Sequence, residues 1–147
     1  MVEKLKQTKE ETLSYFALSE EDLTKTYADG KWTVKELLHH LADAETVLYD
    51  RIRRAISEPR PVIWAFNQDL WATNLDYKDL PLAPNKDVYA SVRDMVIILA
   101  ERHYDKDSEL EFVHSETGVR TLKDEFDKVV WHNERHLSQI KLALERS

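Results

Sequence analysis

Two glycines and four prolines in 147 residues leave this chain few places to turn, and that scarcity limits its fold more than any other feature. Pro59, Pro61, Pro81 and Pro84 fall in one stretch, and Gly30 and Gly118 mark the other breaks. Four long segments between them read as helices. The first runs from about Val2 to about Thr26, with Leu5, Thr8, Thr12, Phe16 and Leu23 as a loose stripe and Ser19 as a possible restart. The second starts at Trp32, where Thr33 and Glu36 form a capping-box pattern, and repeats Leu37, Leu38, Leu41, Leu48, Ile52 and Ile56 at helical spacing. The third runs from about Asn85 to about Asp107, with Val88, Val92, Met95, Val96 and Leu99 inward. The fourth starts at Thr121 and carries Leu122, Phe126, Val129, Val130, Leu137, Ile140 and Leu144. No stretch alternates as a half-buried strand does. The expected class is therefore all-α, a four-helix bundle, formed by one domain over residues 1–147.

One connection is too long for a simple bundle. Residues 58–84 join the second and third helices, where bundle links usually take about 2–8 residues. A link of that length can return along the bundle and let those two helices run parallel. It also holds "WAFNQDLWATNLDY", too aromatic for a solvated loop, and residues 64–76 read as a short extra helix or lid. Trp64, Phe66, Asn67 and Trp71 there are candidate substrate-pocket residues. A satellite cluster that only closes the core fits them equally well.

Histidines supply the candidate chemistry. His132 and His136 lie four apart in "WHNERHLSQI", about 40° apart around a helix, so both imidazoles can reach one ion. Two polar residues sharing a face give the same spacing. Zinc usually takes three or four protein ligands, so a third must come from elsewhere. His39 and His40 point about 100° apart on the second helix. His40 has Leu37, Leu41, Ala44 and Leu48 around it, which puts it inward and turns His39 toward the edge. Asp43, three residues on, could accept the second ring N–H of a metal-bound His40, or it could be a solvated helix charge. His103 falls near a helix end, where a cation suits the dipole, and His114 falls in a loop before Gly118, where a solvated side chain is expected. HExxH is excluded because Asn133 follows His132. A di-iron carboxylate site is excluded because the chain has one ExxH, Glu36 to His39, and no second.

Composition narrows the partners. There is no cysteine, hence no disulfide and no thiolate of the protein's own, and the net charge is −7. Such a surface lacks the basic footprint of a general nucleic-acid binder. No apolar run approaches a membrane span of about 18 residues, and "MVEKLKQTKEETLSYF" has no signal-peptide core. A cytoplasmic protein with no membrane or nucleic-acid partner is the expectation.

The segments "WTVKELLHHLADAE", "RIRRAI" and "WHNERHLSQI" together resemble the DinB/YfiT-like superfamily of bacterial metalloproteins. Its W-S/T-x-x-E-x-x-x-H-L-x-D pattern is matched by Trp32, Thr33, Glu36, His40, Leu41 and Asp43. Its H-x-x-x-H-x-x-Q-I pattern is matched by His132, His136, Gln139 and Ile140. Arg135 stands where relatives often carry a further histidine. The resemblance implies an up-down-down-up bundle, a homodimer, and a divalent metal (zinc, nickel or iron) held by His40, His132 and His136.

Three histidines leave positions open for water or substrate, the layout of a catalytic ion. Some members of the superfamily transfer low-molecular-weight thiols, so the resemblance implies a thiol S-transferase acting on a small-molecule substrate with a thiol cosubstrate. A metal-dependent hydrolase is the alternative. A non-catalytic stress or metal-binding protein is the reading from another class.

Overall fold

The computed structural model describes residues 1–146. Its elements in order are α1 (Val2–Tyr15), α2 (Glu20–Leu23), α3 (Val34–Ser57), β1 (Val62–Ile63), α4 (Gln68–Asn74), α5 (Leu82–His103), β2 (Glu111–His114), β3 (Gly118–Thr121) and α6 (Leu122–Glu145). Four of these, α1, α3, α5 and α6, form the bundle. Local chemistry sets their ends. Thr33 accepts from the Glu36 N–H at 3.1 Å while the Glu36 carboxylate accepts from the Thr33 N–H at 3.2 Å. Thr121 and Asp124 form the same reciprocal pair at the start of α6, so each site helix begins with two otherwise unmatched donors satisfied. Pro84 lies in the first turn of α5, where a missing N–H costs nothing, so this helix starts three residues before the expected Asn85.

Helix directions follow from who shares a core. Leu5, near the start of α1, packs in one cluster with Leu48 and Ile52 of α3, Val96 and Ile97 of α5, and Phe126 of α6. Phe16, just past the end of α1, joins Leu37 and Leu41 of α3 and Ile140 of α6, with Leu82 of α5 against them. The start of α1 therefore meets the late halves of α3 and α5 and the early half of α6. That is up-down-down-up, with α3 and α5 parallel, and the long link makes the return.

Three expectations are corrected here. A three-stranded sheet exists, with β1 parallel to β2 and β2 antiparallel to β3. Its strands have two to four residues, too few for alternation to stand out, although Phe112 and His114 are buried between more open neighbours. Gly118 closes the β2–β3 turn at φ +82°, a conformation suited to glycine. The first helix stops at Tyr15 rather than Thr26, while Ser19 does restart the segment as a short second piece, capping α2 by accepting from the Asp22 N–H. Finally, the buried face of α5 is Tyr89, Arg93, Val96, Ile97 and Ala100, while Val88 and Met95 are exposed. Reading only apolar residues rotated that face, because Arg93 belongs at its centre.

Arg93 is fully buried and paired on every side. Its guanidinium donates to both Glu45 carboxylate oxygens at 2.6 and 2.9 Å, to the Leu5 carbonyl at 2.9 Å, to Thr8 at 2.7 Å and to Asn133 at 2.7 Å. Asn133 also accepts from the Tyr89 hydroxyl at 2.5 Å and donates to Thr12 at 2.8 Å. All four bundle helices meet in this network. Among the described residues, no helix is long and apolar enough to cross a membrane.

Candidate metal centre

α3 brings His40 and α6 brings His132 and His136 to one place. His40 Nε2 lies 2.9 Å from His132 Nε2, and His136 Nε2 lies 3.2 Å from the same atom. Ligand atoms around a tetrahedral ion with bonds of about 2.0–2.1 Å are about 3.3 Å apart, so the three nitrogens stand close to the spacing one ion requires. Among the described residues, this is the one cluster of histidine and carboxylate groups arranged to hold a metal, and no carboxylate joins it.

The surroundings keep the imidazoles neutral. Burial pushes His40 down to about 3, with the neighbouring His136 adding to the effect. Burial likewise pushes His132 down to about 2, helped by His136, His40, Lys128 and Arg135. His136 is lowered by burial too, against a raising contact from Gln139. Neutral imidazoles are the form that binds metal. His136 Nδ1 donates to Gln139 Oε1 at 2.7 Å, which leaves the Nε2 lone pair free to face the other two rings. Gln139 thus does for His136 what a partner on the far ring nitrogen commonly does for a metal-bound histidine.

Asp43 does not do this for His40. Its carboxylate accepts from the Tyr77 hydroxyl, while His40 Nδ1 has no hydrogen-bond partner among the described residues. Three residues along a helix bring Asp43 near the same side, but Tyr77 of the link takes its carboxylate first. Nor is Asp43 a solvated helix charge, because it is half-buried and bonded to Tyr77.

His39 also departs from expectation. It is fully buried. Its Nε2–H donates to the Leu80 carbonyl at 2.7 Å, its Nδ1 accepts from Asn85 at 2.8 Å, and its ring stacks on Tyr77 at 5.3 Å. The face at the bundle's edge is itself covered, by the link and α5, so His39 is a core residue outside the cluster. His114 is likewise buried, with Nδ1 accepting from the Glu116 and Thr117 N–H groups. His103 bonds Asp107 at 2.6 Å.

The aromatic link residues divide. Phe66 lies nearly parallel to His40, ring centres 6.4 Å apart, and Trp71 meets Phe66 edge-on at 4.9 Å. Trp32 covers His40 from another side at 5.0 Å. Trp64 instead is exposed, and Asn67 caps α4 by accepting from the Leu70 N–H at 3.0 Å. A cavity of about 280 Å³ opens at His136, lined by Tyr27, Trp32, Asp69, Arg135 and Gln139 among others. Asp69 and Arg135 were not singled out as pocket residues from the sequence. Their types are ordinary on a helix surface, and only the fold brings them to the cavity.

A model of the DinB superfamily matches residues 4–140. A relative from Oceanobacillus iheyensis, named a "putative metal-dependent hydrolase", is 32% identical over 128 residues, covering 87% of this chain and 73% of its own. The similarly named YfiT of Bacillus subtilis is 27% identical over 124 residues, covering 84% and 70%. The solved structure of Bacillus subtilis YfiT, described as a probable metal-dependent hydrolase with an unusual four-helix bundle topology, superposes with a TM-score of 0.82 at 25% identity, covering 95% of this chain and 83% of that one.

Proposed function

The chain belongs to the DinB superfamily, and on that premise we propose that it is a metal-dependent enzyme whose His40, His132 and His136 hold one divalent ion. The observation that carries this is the convergence of three neutral imidazole nitrogens, with His132 2.9 Å from His40 and 3.2 Å from His136, and with His136 opening onto a cavity. A divalent ion held there supplies Lewis acidity, which makes water or a thiol an effective nucleophile near neutral pH. The chain's own residues do the rest. Gln139 fixes the His136 tautomer, Trp32 and Phe66 shield His40 from bulk water, and Arg135 and Lys31 face the same cavity as His136.

Hydrolysis is the first reading. The names of the relatives support it, and so does Asp69, the carboxylate on the lining of the His136 cavity. It can take a proton from water. Thiol S-transfer is the second reading, favoured by the lack of any carboxylate in the imidazole cluster itself. A thiol with a pKa near 8.5 needs less help from a base than water does. The chain has no cysteine, so the thiol would be a cosubstrate.

Elemental analysis followed by a screen of metal-loaded protein on activated esters and reactive electrophiles, with and without low-molecular-weight thiols, tests both. Hydrolysis predicts thiol-independent turnover that falls in Asp69→Asn. Thiol transfer predicts turnover only with thiol, unaffected by Asp69→Asn. Bound metal with no turnover in any arm would mean a non-catalytic metal protein, and no metal at all would overturn the proposal.

A further inference from the structure

A second polar cluster lies on the same α3–α6 face as the histidines. It centres on Glu125, whose side chain is 0% exposed, and Arg51, whose side chain is 4% exposed. The pair resembles Arg93–Glu45 in composition but not in geometry. Arg93 makes contacts of 2.6 and 2.9 Å and has every donor matched, as charge-assisted pairs do, whereas Arg51 approaches Glu125 at only 3.4 Å. Arg120 approaches the same carboxylate at 3.9 Å. Arg51 Nε, Arg120 Nε and Glu125 Oε1 are buried without partners among the described residues.

Glu125 is shared by Arg51 and Arg120, and Lys128 stands near enough to Arg51, Arg120 and Glu125 to feel all three. His114 beside them is neutral, its Nδ1 lone pair occupied by two backbone N–H groups. Arg120 and Lys128 are partly exposed and line a cleft with Asp124 and Asp127, so Arg51–Glu125 is the buried ion pair of this cluster. A purely structural pair gains from short and fully matched contacts, since buried ionic groups left without partners are costly.

Arg51 lines a cavity of about 600 Å³, together with Val47, Asp50, Arg54, Trp64 and Phe66. That is within the range of small-molecule sites. Asp50 and Arg54 pair at 2.8 Å. Arg51 reaches Glu125 and the Trp64 carbonyl only at 3.4 Å each, and its Nε has no partner among the described residues, so it is the cavity's cation with donors left over. Phe66 belongs to both places, as a wall of this cavity and as the ring stacked on His40. His40, Val47 and Arg51 repeat on one face of α3, and His132, Lys128 and Glu125 repeat on one face of α6. The line from the histidines to Arg51 spans about 16 Å along α3.

We propose that this cavity binds the anionic end of the substrate, a carboxylate or phosphate docked on Arg51, while the reacting end reaches the three histidines. This rests on the metal-site reading above. The contacts of Arg51 to Glu125 and to the Trp64 carbonyl, both 3.4 Å, leave donors, Nε among them, that an anion can take. The substrate class is thus an elongated small molecule with an oxyanion remote from the reacting bond.

Binding of inorganic phosphate and of succinate to the metal-free full chain, followed by calorimetry and by the arginine Nε–H signals in NMR, tests the subsite apart from the metal. At least one anion should bind at 1:1 and shift the Arg51 signal. Arg51→Gln should weaken it about tenfold or more, as loss of a charge-assisted hydrogen bond requires. Lys128→Gln should weaken it by a smaller factor, and it decides the matter if Arg51→Gln does not fold. His40→Ala should leave anion binding intact while removing metal, which separates failure of this proposal from failure of the metal reading. Preference for phosphate or for succinate identifies the headgroup. In metal-loaded protein, Arg51→Gln should raise KM for a carboxylate-bearing substrate with kcat kept, and leave a neutral analogue unchanged. No binding of either anion, binding insensitive to both Arg51→Gln and Lys128→Gln, or binding lost in His40→Ala would overturn the proposal.

Discussion

His39 and His40 differ by one position on α3, and the structure gives them different tasks. His40 faces His132 and His136, whereas His39 is tied to Leu80 and Asn85. His40→Ala should abolish tight metal binding, as should His132→Ala or His136→Ala, because each removes one of three nitrogens. His39→Ala should keep the metal but lower stability by about 1–3 kcal/mol, since it empties a fully buried position and leaves a half-buried carbonyl and a half-buried amide unmatched. Metal content after dialysis and urea midpoints on the four variants check this; loss of metal in His39→Ala with retention in His40→Ala would refute it. The same burial makes the metal-free protein sensitive to acid. Burial pushes His40 down to about 3 and His132 down to about 2 in the folded chain, against about 6.5 when unfolded. Between those values the unfolded chain binds more protons, so stability is full above about 6.5 and falls as pH drops, by about 1.4 kcal/mol per unit for each imidazole. Denaturant titrations of metal-free protein from pH 7 to pH 5 should show this fall, shallower by about one proton in His40→Ala. A flat profile in the unsubstituted protein would mean that the imidazoles are already solvated.

At the scale of elements, the link between α3 and α5 does more than return the chain. Tyr77 is fully buried, stacks on His39 and donates to Asp43. It fastens the link to the helix that carries His40. Tyr77→Phe should lower stability by about 1–3 kcal/mol by stranding the Asp43 carboxylate, with metal content unchanged because no ligand is touched. An unaltered urea midpoint would show that other contacts hold the link. What could be read from the sequence follows from which interactions are local. The caps at Thr33 and Thr121, the stripes of α3 and α6, and the His132–His136 pair each depend on residues three or four apart. The roles of Asp43, His39 and Arg93 depend on partners 34, 41 and 48 residues away, and no local pattern announces those. The inward placement of His40 was legible because its neighbours Leu37, Leu41 and Ala44 are all buried. His114 was misread for the opposite reason, since β2 and β3 together have only eight residues to show alternation.

Over the whole molecule, the bundle uses its two buried arginines differently. One closes a fully matched network that joins all four helices, and the other borders a cavity with longer contacts and an Nε that has no partner among the described residues. The homodimer implied by family resemblance would add a further level, and sedimentation at micromolar concentration should then give about twice the 17.3 kDa chain mass; a monomer at high concentration would count against it. The Arg93 network makes the sharper test of how the fold is held. Arg93 is 0% exposed and Glu45 is 3% exposed, so removing either partner alone strands a charge that water cannot reach. Arg93→Met should cost about 3–5 kcal/mol, and Arg93→Met with Glu45→Leu should recover most of that, because two apolar side chains of similar size leave no charge to solvate. Asn133 loses a donor in both variants and lies next to His132, so metal affinity measured alongside urea unfolding reports whether the network also positions the site. If the double variant is as unstable as the single one, the loss comes from the hydrogen bonds to Leu5, Thr8 and Asn133 rather than from the stranded carboxylate, and the ion pair is not what the bundle's centre depends on.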